Sequence, residues 1–128
     1  MASLCFVTTV PHSKRNMPLR RAFRDAGFEL NDIKFGELGY HNSAYGPARN
    51  SDLVVVDCDP SFLSTNSAVL KSGLIRLKEH FKENSPVFAT GNNMNTIIEA
   101  CADTPIFALD TGCAPENIAS ILLKTLES

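Results

Sequence analysis

The sequence lacks several patterns that would point directly to a chemistry. It contains no Cys-x-x-Cys pair, no Gly-x-Gly-x-x-Gly motif and no P-loop. Without the two glycine motifs, dinucleotide and nucleoside triphosphate binding are disfavoured. Four isolated cysteines stand at positions 5, 58, 101 and 113, a spacing that suits neither a zinc site nor a thioredoxin-type active site. We therefore expect no metal and no cofactor.

The chain also lacks a long apolar run and an excess of basic residues. No apolar stretch approaches the roughly 20 residues that span a bilayer, and the net charge is −2 with dispersed basic residues. These features argue against membrane and nucleic-acid partners. The first residues, MASLCFVTTV, have no basic start and no long apolar segment of the signal-peptide kind. We expect a cytoplasmic protein with free thiols, each by default a small apolar core residue.

Short apolar runs alternate with segments of helical period along the whole chain. Its 128 residues suit one α/β domain over 1–128. About five strand–helix units follow one another, and right-handed crossovers then give a parallel sheet. We predict a single three-layer domain with the flavodoxin-like or receiver-like strand order 2-1-3-4-5. The predicted strands are 4–10, 28–35, 52–58, 86–90 and 104–110, and the predicted helices are 17–26, 66–83, one after 93 and one from 115.

The apolar positions of the predicted helices recur at i, i+3, i+4 and i+7, which indicates one buried face on each. Pro18 suits the first turn of the first helix, and Gly27 suits its end. Such faces could also form a homodimer. The predicted inward residues are Leu19, Ala22, Phe23 and Ala26; Val69, Leu70, Gly73, Leu74, Leu77 and Phe81; Ile97, Ile98 and Cys101; and Ile118, Ile121, Leu122 and Leu126.

Polar residues follow the last three predicted strands, at the edge where open parallel sheets bind ligands. Asp57, Thr90 and Asp110 lie at the carboxyl ends of the third, fourth and fifth predicted strands, and Asp59 and Asn92 come just after the third and fourth. Together they form a candidate ligand site or the remnant of a phosphoacceptor site.

The segment DLVVVD, 52–57, resembles the third strand of a phosphorylated receiver domain, with Asp57 as acceptor and Thr90 as the switch hydroxyl. Phosphoryl transfer to a carboxylate needs Mg²⁺, which acids after the first strand would hold. That place is occupied by residues 8–11, TTVP, and the fifth strand ends in Asp110 where a receiver has lysine. The comparison therefore favours a pseudo-receiver that acts by protein contact without phosphorylation.

Nucleoside-handling Rossmann-like proteins of the deoxyribosyltransferase or TIR type also carry an acid after an apolar strand. They need a glutamate on the next helix as nucleophile or base. The corresponding place near Gly73 holds Leu70 or Lys71, and the next carboxylate is Glu79. A nucleotide-binding or nucleoside-binding domain stays open as an alternative, without this reactive group.

A longer resemblance covers the middle of the chain. FGELGY, 35–40, is followed by NSDLVVVD, 50–57, and then by Phe62. This order resembles the N-terminal thioredoxin-binding domain of the apoptosis signal-regulating kinases, the ASK group of MAP kinase kinase kinases. SGLIRLKEHF, 72–81, is similar to a stretch of that domain with one residue inserted. The likeness extends thinly over about 17–126, and the chain has no kinase or helical-repeat region.

The resemblance implies a thioredoxin partner and a redox link. In that family a reactive cysteine lies in a Cys-x-Pro sequence before the last helix, which corresponds here to Cys113 and Pro115. Cys101 falls near a second family cysteine. A thiol at a helix N-terminus favours the thiolate form, and the alternative is that Cys113 packs beneath the helix.

These observations lead to three hypotheses. The first is a non-catalytic regulatory domain that binds a redox partner such as thioredoxin near Cys113, with Asp57 as a structural or vestigial acid. The second is the pseudo-receiver, and the third is an enzyme or sensor that binds a nucleotide-like ligand over GNN, 91–93, and DCDPS, 57–61.

Overall fold

The computed structural model describes residues 2–10, 14, 16–34, 49–58, 67–82, 85–91, 94–103, 106–109 and 114–127, without the side chains of Ser67 and Val69. Within these residues five strands alternate with four helices. The strands are β1 (Ser3–Thr8), β2 (Glu29–Lys34), β3 (Leu53–Cys58), β4 (Val87–Gly91) and β5 (Ile106–Ala108). The helices are α1 (Asn16–Asp25), α2 (Ser67–Lys78), α3 (Met94–Ala100) and α4 (Pro115–Glu127).

The five strands form one parallel sheet in the order β2-β1-β3-β4-β5. This confirms the predicted α/β class and the strand order 2-1-3-4-5. The central strand β3 is buried along its whole length, as expected for a strand covered on both faces. The edge strand β2 instead carries Glu29, Asp32 and Lys34, charges that discourage pairing with another chain at that edge.

Alternate residues of the strands enter two separate apolar layers, one on each side of the sheet. The layer on one side packs against α1 and α4 and contains Leu4, Phe6, Leu19, Phe23, Phe28, Leu53, Val55, Phe88, Leu109, Ile118, Ala119 and Leu122. The layer on the other side packs against α2 and α3 and contains Cys5, Val7, Ile33, Val54, Val56, Cys58, Leu70, Leu74, Leu77, Val87, Ala89, Ile97, Ala100 and Cys101. Each fully buried Leu, Val or Phe contributes about 1.5–3 kcal/mol to stability, so both layers add substantially to the stability of the domain.

Helix α1 follows its sequence signals closely. Pro18 lies in the first turn, where its missing N–H has no helical acceptor to lose. The helix is followed by Gly27, whose φ of 94° is the left-handed conformation of a helix C-terminus. The Gly27 N–H donates to the Arg24 carbonyl oxygen at 3.0 Å.

Several details differ from the sequence expectations, beginning with β1, which ends at Thr8 rather than at residue 10. Helix α2 ends at Lys78 rather than near 83, and the chain leaves it through turns in which His80 and Phe81 donate backbone N–H groups to Leu77 and Lys78. Ile121, which the periodicity places on the inward face, is 39% exposed. It lies roughly 100° around α4 from the buried Leu122, so the apolar pattern is broader than the face that the sheet covers.

A polar contact set joins β1, β3 and the end of α2 at the amino edge of the sheet. The backbone N–H of Ser3 donates to the Asp52 carboxylate at 2.9 Å, and Lys82 Nζ donates to its other oxygen at 2.9 Å. Both contacts favour the ionised carboxylate and hold the pKa of Asp52 below its usual range.

Candidate functional site

The sheet register brings three polar side chains into a row at the carboxyl edge. Thr8 pairs with Asp57 across β1 and β3, and Asp57 pairs with Thr90 across β3 and β4. Directly paired residues of parallel strands project to the same face, about 4.8 Å apart. The row continues the α1/α4 side of the sheet, two residues beyond Phe6, Val55 and Phe88. We call Thr8, Asp57 and Thr90 the polar row.

All three side chains of the polar row are buried. Asp57 and Thr90 have no exposed surface, and Thr8 has almost none. Asp57 and Thr90 both take part in polar or electrostatic interactions, and the Asp57 carbonyl oxygen accepts the Thr9 N–H at 3.3 Å. Burying a carboxylate costs free energy unless other groups pair with it. The row is therefore part of the packed fold as well as of the sheet edge.

Two buried side-chain oxygens, one in the row and one at the start of α1, have no hydrogen-bond partner among the described residues. Within the described part of the chain, neither Thr8 Oγ1 nor Asn16 Oδ1 makes a hydrogen bond. Asn16 is the first residue of α1, and its Nδ2 donates to the Val10 carbonyl oxygen at 2.9 Å. The side chain thereby ties the start of α1 to the chain leaving β1. Buried polar atoms of this kind are commonly satisfied by ordered water.

Gly91 closes β4 beside the row, and its backbone touches the end of β3. Its φ is 90°, and a Cβ placed on it would lie 2.1 Å from the Cys58 carbonyl oxygen. Only glycine allows this backbone approach. Gly91 thus sets how closely the β4 end abuts Cys58.

The redox prediction rests on Cys101 and Cys113, and the structure places only Cys101. Cys101 follows α3, is fully buried, and belongs to the α2/α3 apolar layer, on the opposite side of the sheet from the polar row. Burial raises the pKa of its thiol to about 11, and burial likewise raises the pKa of Cys5 to about 12. The thiolate is the reactive form of cysteine. The raised pKa values therefore leave both thiols protonated and unreactive at neutral pH, as suits residues that pack in the core. Cys113 lies outside the described residues.

Of the five residues expected at the strand-end site, Asp57 and Thr90 are described and are adjacent. Asp59, Asn92 and Asp110 lie outside the described residues, so their predicted participation stays a prediction. The sequence places residues 8–11 at this edge of the sheet but does not mark the side chains of Thr8 or Asn16, since a threonine within an apolar strand and an asparagine at a helix start are ordinary. Their burial becomes visible only in the folded chain.

A surface groove between α1 and α4 is also missing from the sequence predictions. It has a volume of about 840 Å³. Its floor is made by small or partly buried residues, and Met17 stands beside it with 65% of its surface exposed. The lining residues are Lys14, Met17, Pro18, Arg21, Ala22, Asp25, Ala26, Pro115, Glu116, Ala119, Ser120 and Leu123. We call this feature the α1/α4 groove; the recurrence of Met17, Arg21 and Asp25 every fourth residue is its sequence signal.

The described residues hold no group of three or more His, Cys, Asp or Glu side chains placed to bind a metal ion. Nor does any described helix combine the length and apolar character needed to cross a membrane.

The sheet order, the parallel pairing and the helices on both faces define the chain as a flavodoxin-like α/β domain. No protein-family model matches the chain, and no curated protein matches it either.

Proposed function

We propose that this chain is a non-catalytic regulatory domain that binds a protein partner, a redox protein of the thioredoxin type, at the carboxyl edge of its sheet near Cys113. The observation that carries the proposal is the burial of Asp57 between Thr8 and Thr90. An acid that transfers phosphate or attacks a substrate must be reached by that substrate. Here the strand-end acid is instead fully buried and takes part in interactions within the fold.

The distribution of the cysteines supports the choice of Cys113 for the redox link. The three described cysteines, Cys5, Cys58 and Cys101, are all buried. A redox-linked partner must reach a thiolate, so the proposal depends on the fourth cysteine rather than on Cys101.

The position of α4 is the second support. The helix begins at Pro115, as the sequence predicts, so Cys113 stands two residues before a helix of 13 residues. The positive end of a helix dipole favours a nearby thiolate. The resemblance of the middle segment to the thioredoxin-binding domain of the apoptosis signal-regulating kinases supplies the identity of the partner.

The test is cysteine-by-cysteine alkylation at neutral pH. A short pulse of iodoacetamide, followed by peptide mass spectrometry, measures the labelling rate of each thiol with and without reduced thioredoxin. We expect Cys113 to be labelled at least tenfold faster than Cys5 and Cys101, because their raised pKa values leave little thiolate at neutral pH. Thioredoxin should slow the labelling of Cys113 alone.

Matched variants separate a binding role from a packing role. Cys113→Ser should abolish thioredoxin binding in calorimetry and leave the melting temperature unchanged. Cys101→Ser should lower the melting temperature and leave thioredoxin binding unchanged, because it places a hydroxyl in the apolar layer of α2 and α3. Equal labelling of all four thiols, or labelling of Cys113 that thioredoxin does not change, would refute the proposal.

A pseudo-receiver is the second candidate, and the pairing of Asp57 with Thr90 favours it. The acid near the end of β3 and the hydroxyl near the end of β4 correspond to the acceptor and switch positions of a receiver domain. On this proposal a small phosphoryl donor with Mg²⁺ leaves the intact mass unchanged, and thioredoxin does not bind. Modification of Asp57 would contradict both candidates.

A further inference from the structure

The α1/α4 groove has features that the proposed function does not use. Four charged side chains line it: Lys14 and Arg21 are basic, Asp25 and Glu116 are acidic. In the part of the chain that the structure describes, none of the four makes an ion pair. All four are exposed, and so is Met17 among them. The groove therefore carries balanced, unused charges around an exposed apolar side chain.

Six of the seven groove residues on and next to α1 are spaced symmetrically. Positions 14, 17, 18, 21, 22, 25 and 26 line the groove, and Lys14 lies two residues before the helix. The first six pair as 14 with 25, 17 with 22 and 18 with 21 about one midpoint, and Ala26 has no lining counterpart. When two identical helices pack antiparallel across a two-fold axis, the sequence numbers of any two residues that face each other add up to the same value. This set therefore matches itself in a single antiparallel register.

The chemistry of the pairs fits that register. Lys14 of one copy would face Asp25 of the other, and the two-fold axis repeats this pair, giving two opposite-charge contacts. Met17 of one copy would face Ala22 of the other, so the most exposed apolar side chain meets a small residue on the groove floor. One register thus pairs Lys14 with Asp25 and fits Met17 to a small residue.

We propose that a second copy of this chain occupies the α1/α4 groove, with the two α1 helices antiparallel about a two-fold axis and Lys14 paired with Asp25 of the second copy. The groove lining includes Pro115 and Glu116, two and three residues after Cys113, so this contact adjoins the edge where the partner proposed above would bind. Self-association is measured without thioredoxin, so its outcome is separate from that of the proposed function.

Analytical ultracentrifugation of the full chain at low ionic strength, where surface charges are least screened, tests the proposal. The wild type should shift with concentration from the 14.0 kDa monomer to twice that mass. Lys14→Glu alone should raise the dissociation constant at least tenfold, because both symmetric pairs become repulsive. Asp25→Lys alone should do the same.

The decisive sample is an equimolar mixture of the two variants. In the mixed dimer, the glutamate introduced at position 14 of one variant would face the lysine introduced at position 25 of the other. The second symmetric pair keeps its natural Lys14 and Asp25, so the mixture should dimerise more tightly than either variant alone. Arg24→Glu is the matched control, since Arg24 is exposed on the same helix but does not line the groove. Its dissociation constant should stay within about twofold of the wild type.

Three results would overturn the proposal: a wild type that stays monomeric up to about 1 mM, variants that dimerise as well as the wild type, or a mixture that does not recover. Circular dichroism melting of each variant shows that it is folded, which we expect because Lys14 and Asp25 are exposed.

Discussion

Asp57 of β3 lies directly beside Thr90 of β4, and neither side chain has any exposed surface. The pair lies near the ends of two of the most buried strands of the sheet. A carboxylate in such a place persists only where the surrounding groups compensate its loss of water. The burial of the pair therefore indicates that Asp57 is held by interactions within the fold.

The unpartnered hydroxyl of Thr8 gives the first prediction. Thr8→Val replaces a buried hydroxyl that makes no hydrogen bond within the described residues with a methyl group of similar size, so stability should stay the same or rise by up to about 1 kcal/mol. Thr90→Val in the same row should cost about 1 kcal/mol, because Thr90 has a partner. Urea denaturation measures both; a destabilised Thr8→Val would show that Thr8 holds an ordered water or ligand.

Gly91 gives the second prediction, with Gly27 as its control. Both have positive φ, 90° and 94°, but a Cβ at Gly91 collides with the Cys58 carbonyl whereas a Cβ at Gly27 meets nothing within 4 Å. Gly27→Ala should cost about 1 kcal/mol from backbone strain alone. Gly91→Ala should cost about 3 kcal/mol or more. Equal losses in chemical denaturation would mean that β3 and β4 separate easily at this edge.

The buried thiols predict a loss of stability in alkali. The pKa of Cys101 rises from 9.0 in the reference state to about 11 in the folded chain, and that of Cys5 to about 12. The unfolded chain therefore loses these protons first, so their contribution is complete below about pH 9 and declines above it, by up to about 1.4 kcal/mol per pH unit for each thiol.

The measurement is the free energy of unfolding at about pH 8 and about pH 10.5, for the wild type and for Cys101→Ala. The variant should be less stable at the lower pH, because it loses a buried sulfur. Its decline with pH should be smaller than that of the wild type. Parallel declines would show that Cys101 does not titrate in this range.

The lowered pKa of Asp52 predicts that the free energy of unfolding depends on pH in the acidic range. The Ser3 N–H and Lys82 lower its pKa, so its stabilising contribution is present above about pH 3.8 and is lost as the pH falls through the folded pKa. Asp52→Asn should cost about 0.5–1.5 kcal/mol at neutral pH, a modest figure because the side chain is about one-third exposed. The cost should shrink at acidic pH.

The control for Asp52 is Glu99→Gln. Glu99 pairs with Lys71 at 3.5 Å, and both side chains are well exposed, so the expected change is near zero at any pH. A cost for Asp52→Asn that is the same at neutral and acidic pH would contradict the assignment of that cost to the carboxylate charge.

The strand and helix pattern is predictable because it depends on local periodicity. Apolar continuity in LVVVDC indicates a strand buried on both faces, and the structure buries all of it. Proline and glycine mark the ends of α1 because their backbone restrictions act locally. The prediction for Ile121 is wrong, since periodicity shows which residues are apolar and not how wide a stripe the sheet covers.

The sequence by itself determined the class of fold, the order of the elements and the candidate status of Asp57. Only the tertiary structure decided that Thr8, Asp57 and Thr90 form one buried row, because strand register depends on contacts between residues far apart in the chain. The burial of Cys101 agrees with the inward position that the helical period predicts for it. The α1/α4 groove, in contrast, was decided by packing, since it arises where two separate helices meet and no single segment encodes the distance between them.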